Sequence, residues 1–225
     1  MKNAKKFFLL TTVLFIALLS KAQTINWANL SKKQKNIINV NAGVDYSLSY
    51  GIGYGYQLRS KLPIVLNTEF SVPSGNNLTD DYKAKIGAQI RWLQLDNVHF
   101  TTKIQGVFRR YENDYATLLN FGSDLSGIVG YYKTHWFVAG EVGFDKAIVT
   151  HFKNSDLEKE NYPDIQDGWY EPSTGGNFYY GIQTGYSQQK FDVYLKAGKI
   201  TTQTFSDAPL VPFYAQLGVN VKLGK

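Results

Sequence analysis

Strict alternation of apolar and polar residues constrains this chain more than any other feature of its sequence. From Asn39 to Leu58 every even position is apolar or aromatic, and every odd position is Asn, Gly, Asp, Ser or Gln. Successive side chains of a β-strand point to opposite faces, whereas a helix groups residues three and four apart. A period of two over this length therefore predicts strands with one apolar face and one polar face.

The same alternation recurs along most of the chain. Eight further runs cover residues 64–72, 82–92, 98–109, 124–132, 136–149, 178–188, 191–201 and 213–223. A strand needs only about 9–11 residues to cross a bilayer. The first run, at 20 residues, is therefore long enough to form two strands that fold back near residues 47–49.

The connections between the runs alternate in length. Short connections lie at 59–62, 94–97, 133–135 and 189–190, and longer ones at 73–81, 111–122, 150–176 and 204–211. Short turns on one side and long loops on the other are typical of membrane barrels, which in single-chain bacterial proteins have an even number of strands. We therefore predict an all-β fold, an antiparallel up-and-down transmembrane β-barrel of ten strands, with eight strands as the alternative.

The amino terminus has the pattern of an export signal. Three lysines within the first six residues precede an apolar run at 7–19 and the small-residue exit Ser20-Lys21-Ala22. A mainly apolar run of 13 residues fits a signal peptide and falls short of the roughly 20 that a spanning helix needs. The predicted organisation is a signal peptide over 1–22, a short polar lead-in over 23–37 that lacks alternation, and a barrel over 38–225.

Charge and cysteine content exclude several classes of function. The formal net charge is +6, but removal of residues 1–22 removes four lysines and no carboxylate, which leaves +2. This balance gives no support to nucleic-acid binding. The chain has no cysteine, so disulfides, thiolate chemistry and Cys-ligated zinc are excluded. No motif implies a cofactor.

The polar face of the predicted strands carries charges of both signs, which suits a narrow lumen whose side chains pair across it. We therefore expect the apolar face to contact lipid, although a secreted soluble barrel that binds a ligand would show the same period. The lumen candidates are Glu69, Lys83, Lys85, Arg91, Lys103, Arg109, Glu141 and Asp145.

The carboxyl terminus carries a short pattern that, with the signal peptide and the alternation, places the chain near a known superfamily. Gln216-Leu217-Gly218-Val219-Asn220-Val221-Lys222-Leu223 follows polar-x-Gly-x-x-apolar-x-apolar, with Val221 and Leu223 where aromatic residues are usual. The chain thereby resembles small bacterial outer-membrane β-barrels. The resemblance implies a location in the outer membrane, contact with its lipid, and recognition by the barrel-assembly machinery.

Some barrels of that superfamily are enzymes that modify envelope lipid or glycan, and they use His with Ser and an acidic partner. Of three histidines, only His151 lies at the edge of a long loop, near Ser155 and Asp156. Neighbouring positions in a loop do not establish a nucleophile and its base. The sequence therefore assigns no catalytic residue, and an enzyme remains the alternative hypothesis.

The longest loop is acidic. Oxygen-rich loops bind calcium, but the spacing of these carboxylates follows no ligand pattern. The candidates for ion binding there are Asp156, Glu158, Glu160 and Asp164. The long loops are also candidates to contact an extracellular ligand or partner. The functional hypothesis is a narrow solute pore or a structural platform that displays these loops, because a barrel of eight or ten strands has an interior that side chains largely fill.

Overall fold

The computed structural model describes residues 24–45, 47–75, 80–205 and 209–224. The predicted signal peptide, residues 1–22, lies outside the described residues. Eleven strands account for most of the chain: β1 (Asn36–Val44), β2 (Leu48–Gln57), β3 (Ile64–Pro73), β4 (Asp81–Leu95), β5 (Val98–Glu112), β6 (Ala116–Tyr132), β7 (Trp136–Asn154), β8 (Gly168–Tyr170), β9 (Gly176–Ser187), β10 (Phe191–Thr202) and β11 (Phe213–Leu223).

Ten of these strands form a closed antiparallel barrel. Each pairs with its neighbours in the chain, β7 pairs with β9, and β1 closes the ring by pairing with β11 over nine residues from Asn36 opposite Leu223 to Val44 opposite Ala215. The predicted ten-stranded barrel is therefore confirmed. The long first run is two strands, β1 and β2, joined at 45–47.

The connection between β7 and β9 contains the remaining elements. One helical turn, α1 (Asp156–Asn161), is capped by the side chain of Ser155, and the short strand β8 pairs with the end of β7 opposite Thr150 to Phe152. Because β9 pairs with β7 only as far as Lys146, β8 continues the sheet above it. Within the described residues, no helix is long and apolar enough to cross a bilayer.

The structure corrects one predicted loop. Residues 111–122 were expected to form a long connection, but β5 runs to Glu112, β6 begins at Ala116, and the turn at 113–115 is held by the side chain of Asn113. The alternation is hidden there because Leu118 faces the interior cavity while the adjacent Leu119 lies on the opposite strand face. When successive residues on opposite faces are both apolar, the sequence shows no period of two.

The polar face of the strands points inward and the apolar face points outward. Inward positions such as Asn39, Lys103 and Glu141 are buried, whereas Ile86 is 71% exposed and Val142 60% exposed. A soluble barrel buries its apolar face instead. The arrangement is that of a barrel whose exterior contacts an apolar medium.

Close packing at the seam between β1 and β11 gives the first prediction. A Cβ atom on Gly43 would lie 2.1 Å from the carbonyl oxygen of Ala215, whereas one on the outward-facing Gly106 would have no neighbour nearer than 3.8 Å. We expect Gly43→Ala to lower the free energy of unfolding by about 1–3 kcal/mol, the usual cost of overpacking. Denaturant unfolding of the folded barrel in one detergent, with Gly106→Ala as the matched control, measures this difference. Equal stability of the two variants would contradict the packing argument.

Candidate functional site

The interior of the barrel is the candidate site, and its short-turn end is closed by the amino-terminal segment. Residues 24–34, called here the plug segment, precede β1 and enter the barrel at that end, where Ile25 and Trp27 are 3% and 4% exposed. They pack in one apolar cluster with inward-facing side chains of the wall. These include Ile37, Val65, Tyr132, Phe137 and Tyr194. The first part of the predicted polar lead-in, residues 24–27, is thus buried, whereas residues 28 and 31–33 are exposed.

Hydrogen bonds fix the plug segment to several places on the strands and short turns. The Asn26 amide donates to the Lys133 carbonyl at 2.9 Å and to the Ser187 hydroxyl at 2.8 Å. The Asn220 amide donates to the Thr24 carbonyl, and the Lys222 ammonium donates to the side-chain oxygen of Asn29. Since these partners lie on different strands and turns, the segment closes the end of the barrel across its width.

A layer of buried amides lies above the plug segment. The Asn39 amide donates to the Asn220 side-chain oxygen at 2.7 Å and to the Tyr194 hydroxyl at 3.0 Å. Asn41 donates to Asn39, and Gln216 donates to Asn41. Buried polar groups need such partners to offset lost hydration. The layer therefore lines the lumen along β1, β10 and β11 with hydrogen-bonded polar side chains.

Six charged side chains cross the lumen at mid-height and form what we call the charge belt. It consists of three cations and three carboxylates, all buried or nearly so: Glu69, Lys85, Lys103, Asp124, Glu141 and Lys196. The Glu141 carboxylate lies between two ammonium groups, 2.7 Å from that of Lys196 and 3.8 Å from that of Lys103. Opposite charges balance within the belt.

The rest of the belt joins neighbouring strands. Lys85 pairs with Asp124 at 2.5 Å, and the Tyr179 hydroxyl donates to the same Asp124 at 2.7 Å. Glu69 is the cross-strand partner of Lys85 and accepts a hydrogen bond from Gln105 at 3.1 Å. Charges of both signs in contact would restrict passage to small solutes and give weak preference for ion sign, because no single sign dominates.

Above the charge belt, the lumen widens into a cavity of about 800 Å³ that opens at the long-loop end. Ion pairs line its wall, with Lys83 3.0 Å from Asp45 and the Arg109 guanidinium bound in two places to Asp81. The barrel is therefore a cup, with an open polar cavity at one end and a filled lumen below.

The structure brings together half of the predicted lumen residues and separates the others. Glu69, Lys85, Lys103 and Glu141 belong to the charge belt, whereas Lys83, Arg109 and Asp145 line the cavity above it. Asp145 accepts a hydrogen bond from Asn177. Arg91 lies far below, with its guanidinium 5.6 Å from the ring centre of Trp27 in the plug segment.

Sequence reasoning missed four contributors to the site. Lys196 is buried on the inner face of β10, but it was not among the lumen candidates. Asp124 was treated as the start of a run, although it shares strand parity with the inward Ser126 and is 3% exposed. Tyr179 was not a candidate, but its hydroxyl reaches the charge belt. The plug segment shows no alternation, and only its Asn and Trp residues beside apolar neighbours hinted at burial.

The histidines do not assemble a catalytic group among the described side chains. His99 is buried on the inner face and stacks on Tyr132 at 4.9 Å between ring centres. His151 packs edge-on against Trp169, while the Ser155 hydroxyl caps α1 by accepting from the Glu158 amide. No hydrogen bond joins His151 to Ser155 within this part of the structure.

The loop carboxylates are dispersed. Asp156, Glu158 and Glu160 lie on α1 and Asp164 follows it, and in the described ranges no group of three or more His, Asp or Glu side chains is placed to hold a metal ion. The loop is instead ordered by Asp167, which accepts from the Lys159 ammonium and the Asn154 backbone amide, both at 2.8 Å.

Aromatic side chains form rows at both ends of the outer wall. At the long-loop end, successive ring centres of Phe70, Tyr82, Phe108, Phe121 and Trp169 lie 5.0–6.0 Å apart across neighbouring strands. At the short-turn end, Trp92 is exposed and Tyr131 contacts Trp136. From Tyr82 to Trp92 is ten residues of β4, or about 25 Å along the barrel axis at about 3.3 Å per residue and about 40° of tilt.

Two of the solved structures to which the chain is similar are porins. The KdgM porin in complex with disordered oligogalacturonate is 8% identical, with a TM-score of 0.43, over 83% of this chain and 99% of that one. A second structure, described as KdgM porin, is also 8% identical, with a TM-score of 0.42 over the same shares. No family model and no curated protein sequence matches the chain.

The charge belt yields a prediction about stability. Replacing Glu141 by Gln would leave the ammonium groups of Lys103 and Lys196 facing each other, with 4% and 9% of their side chains exposed. Removing one partner of a buried pair costs about 3–5 kcal/mol. We expect that loss in the free energy of unfolding of Glu141→Gln, measured by denaturant titration. The exposed Glu160→Gln is the control, and a midpoint equal to that control would contradict the role of the belt.

A further prediction concerns the pH dependence of the connection between β7 and β9. Hydrogen bonds from Lys159 and from the Asn154 amide lower the pKa of Asp167 from 3.8 to about 2. Because the pKa of Asp167 is lowered in the folded state, the contribution of these hydrogen bonds to the stability of the loop is complete above pH 3.8. It is lost as the pH falls through 2. We expect the Asn154 amide chemical shift to titrate with a midpoint near 2. A midpoint at 3.8 would show that the contact does not hold the loop in solution.

Proposed function

We propose that this chain is an outer-membrane β-barrel that acts as a narrow solute pore, closed at its short-turn end by the plug segment. The observation that carries the proposal is a continuous polar column from the loop-end cavity through the charge belt and the amide layer to the plug segment. It is enclosed by a wall whose outer face is apolar. A barrel needed only as a scaffold has no requirement for charges along its axis.

The outer wall supports a membrane location. Exposed apolar side chains lie between two aromatic rows whose separation of about 25 Å matches the apolar band of outer-membrane barrels. The first residue of β1 and the last residue of β11 both lie at the short-turn side, which is the periplasmic side in such barrels. In the proposed orientation the cavity opens to the exterior of the cell, and outer-membrane lipid and the barrel-assembly machinery are the proposed partners.

The geometry gives less support to the alternatives. A secreted soluble barrel would expose its polar face to water, and here that face is buried. An enzyme acting on envelope lipid would need a base at its nucleophile, and Ser155 serves as a helix cap. A structural platform is compatible with the ordered loop, but it does not account for the polar column.

Electrical recording of the protein from residue 23 onward, refolded in a planar bilayer, tests the proposal. Wild-type protein should give rare unitary steps, because the plug segment must move before solute passes. Asn26→Ala removes the two hydrogen bonds by which this side chain holds the plug segment to the barrel, each worth about 1 kcal/mol, so the ratio of open to closed time should rise about 30-fold. Asn161→Ala, an exposed amide in the loop, is the control.

Deletion of residues 24–34 is the stronger variant, and circular dichroism of the same samples shows whether each barrel has folded. We expect the folded deletion variant to give steps during most of the recording. A folded variant that inserts and gives no steps would overturn the pore, and unchanged behaviour of Asn26→Ala beside frequent wild-type steps would overturn closure by the plug segment.

A further inference from the structure

An apolar groove crosses the outer wall near the short-turn end. It encloses about 730 Å³ and runs along β6 and β7, with the backbone of Gly127 and Gly140 as its floor. Trp92 and Phe100 form one side, and Tyr180 and Ile182 form the other. The ordinary course of a strand places a side chain at every outward position, so two outward glycines leave a channel one side chain deep.

Packing within the chain does not require these glycines. A Cβ atom on Gly127 would meet nothing within 4 Å, and one on Gly140 would meet only a carbonyl oxygen at 4.0 Å. The space above them is therefore open to a molecule outside the barrel. Its walls are aromatic and aliphatic, so the part of that molecule in the groove is a hydrocarbon chain.

The groove leads to a cation. Below Gly140, β7 reaches Trp136 at the β6–β7 turn after four residues, or about 13 Å at about 3.3 Å per residue. This is within the roughly 15 Å depth of one leaflet. At that turn the Lys133 ammonium lies 5.4 Å from the ring centre of Tyr131, which itself contacts Trp136. A cation among interfacial aromatics is placed at the level of lipid headgroups.

The whole short-turn end favours negative charge in its partner. In the plug segment with Lys35 and in the four short turns, seven cationic residues accompany a single carboxylate, Asp96. The cations are Lys32, Lys33, Lys35, Arg59, Lys61, Lys133 and Lys190. None of them forms a salt bridge with a described carboxylate. The described loop-end connections have the opposite balance, with nine carboxylates and one lysine.

We propose that this groove is a binding site for an anionic phospholipid, with one acyl chain over Gly127 and Gly140 and the phosphate headgroup at Lys133. The proposal rests on the proposed membrane location of the wall and not on conduction through the lumen. Apolar length and cationic end together select an amphiphile with a negative head, which distinguishes this site from the rest of the outer wall.

Native mass spectrometry tests the site. The protein is folded in vesicles of equal phosphatidylglycerol and phosphatidylcholine, then released in detergent, and the retained lipids are counted. We expect monomers that retain phosphatidylglycerol about fivefold over phosphatidylcholine, the preference that one cation near an anionic group provides. Gly127→Leu fills the groove and should reduce both adducts severalfold, whereas the outward Gly106→Leu should leave them unchanged.

Lys133→Gln should make the two lipids equal, and Lys61→Gln, at a different turn, should keep the preference. Equal adducts in Gly127→Leu and Gly106→Leu would overturn the groove. Equal effects of Lys133→Gln and Lys61→Gln would overturn a defined headgroup site in favour of diffuse attraction. Dimers that Gly127→Leu abolishes would identify a second copy as the occupant. If the protein retains lipid but gives no unitary conductance, the result would support the lipid site and contradict only the proposed pore.

Discussion

Pairing of β1 with β11 is the interaction on which the rest of this structure depends. Without it, the sheet would have two long edges of unpaired N–H and C=O groups, and an apolar exterior could not be placed in lipid. Closure also creates an interior, because ten strands that curve into a ring turn their polar face away from the surroundings. The charge belt, the amide layer and the cavity exist only because the ring is closed.

Filling that interior raises a second physical problem, since charges removed from water need partners. The charge belt meets it by placing three cations and three carboxylates in contact across the lumen, from β3 to β10. The amide layer meets it with chains of hydrogen bonds among Asn39, Asn41 and Asn220. At the short-turn end the plug segment replaces polar filling with an apolar cluster. The lumen is thus an open polar cavity at the loop end and is packed with apolar side chains at the short-turn end.

The two ends of the barrel also differ in charge, although the net charge of the chain hides the difference. Carboxylates gather in the loops, and lysines and Arg59 gather at the short turns and on the plug segment. The rim of the cavity is therefore acidic, while the short-turn end is basic. The outer wall is likewise uneven, because Gly127 and Gly140 open a groove among its apolar side chains.

The sequence by itself determined most of the strands and which residues share a face, because a period of two records which side each residue occupies. It favoured ten strands over eight, because the first run is long enough for two strands. It also supplied Glu69, Lys85, Lys103 and Glu141 as lumen residues, since parity alone places them. Only the tertiary structure decided that Glu141 lies between Lys103 and Lys196, that Asp124 and Tyr179 join them, and that residues 24–34 fill the barrel. Those contacts join strands that are distant in the chain, and their geometry follows from strand tilt and closure, which local alternation does not encode. The turn at 113–115 was missed for a related reason: above the charge belt both faces of β6 are partly apolar, so the period disappears where the strand continues.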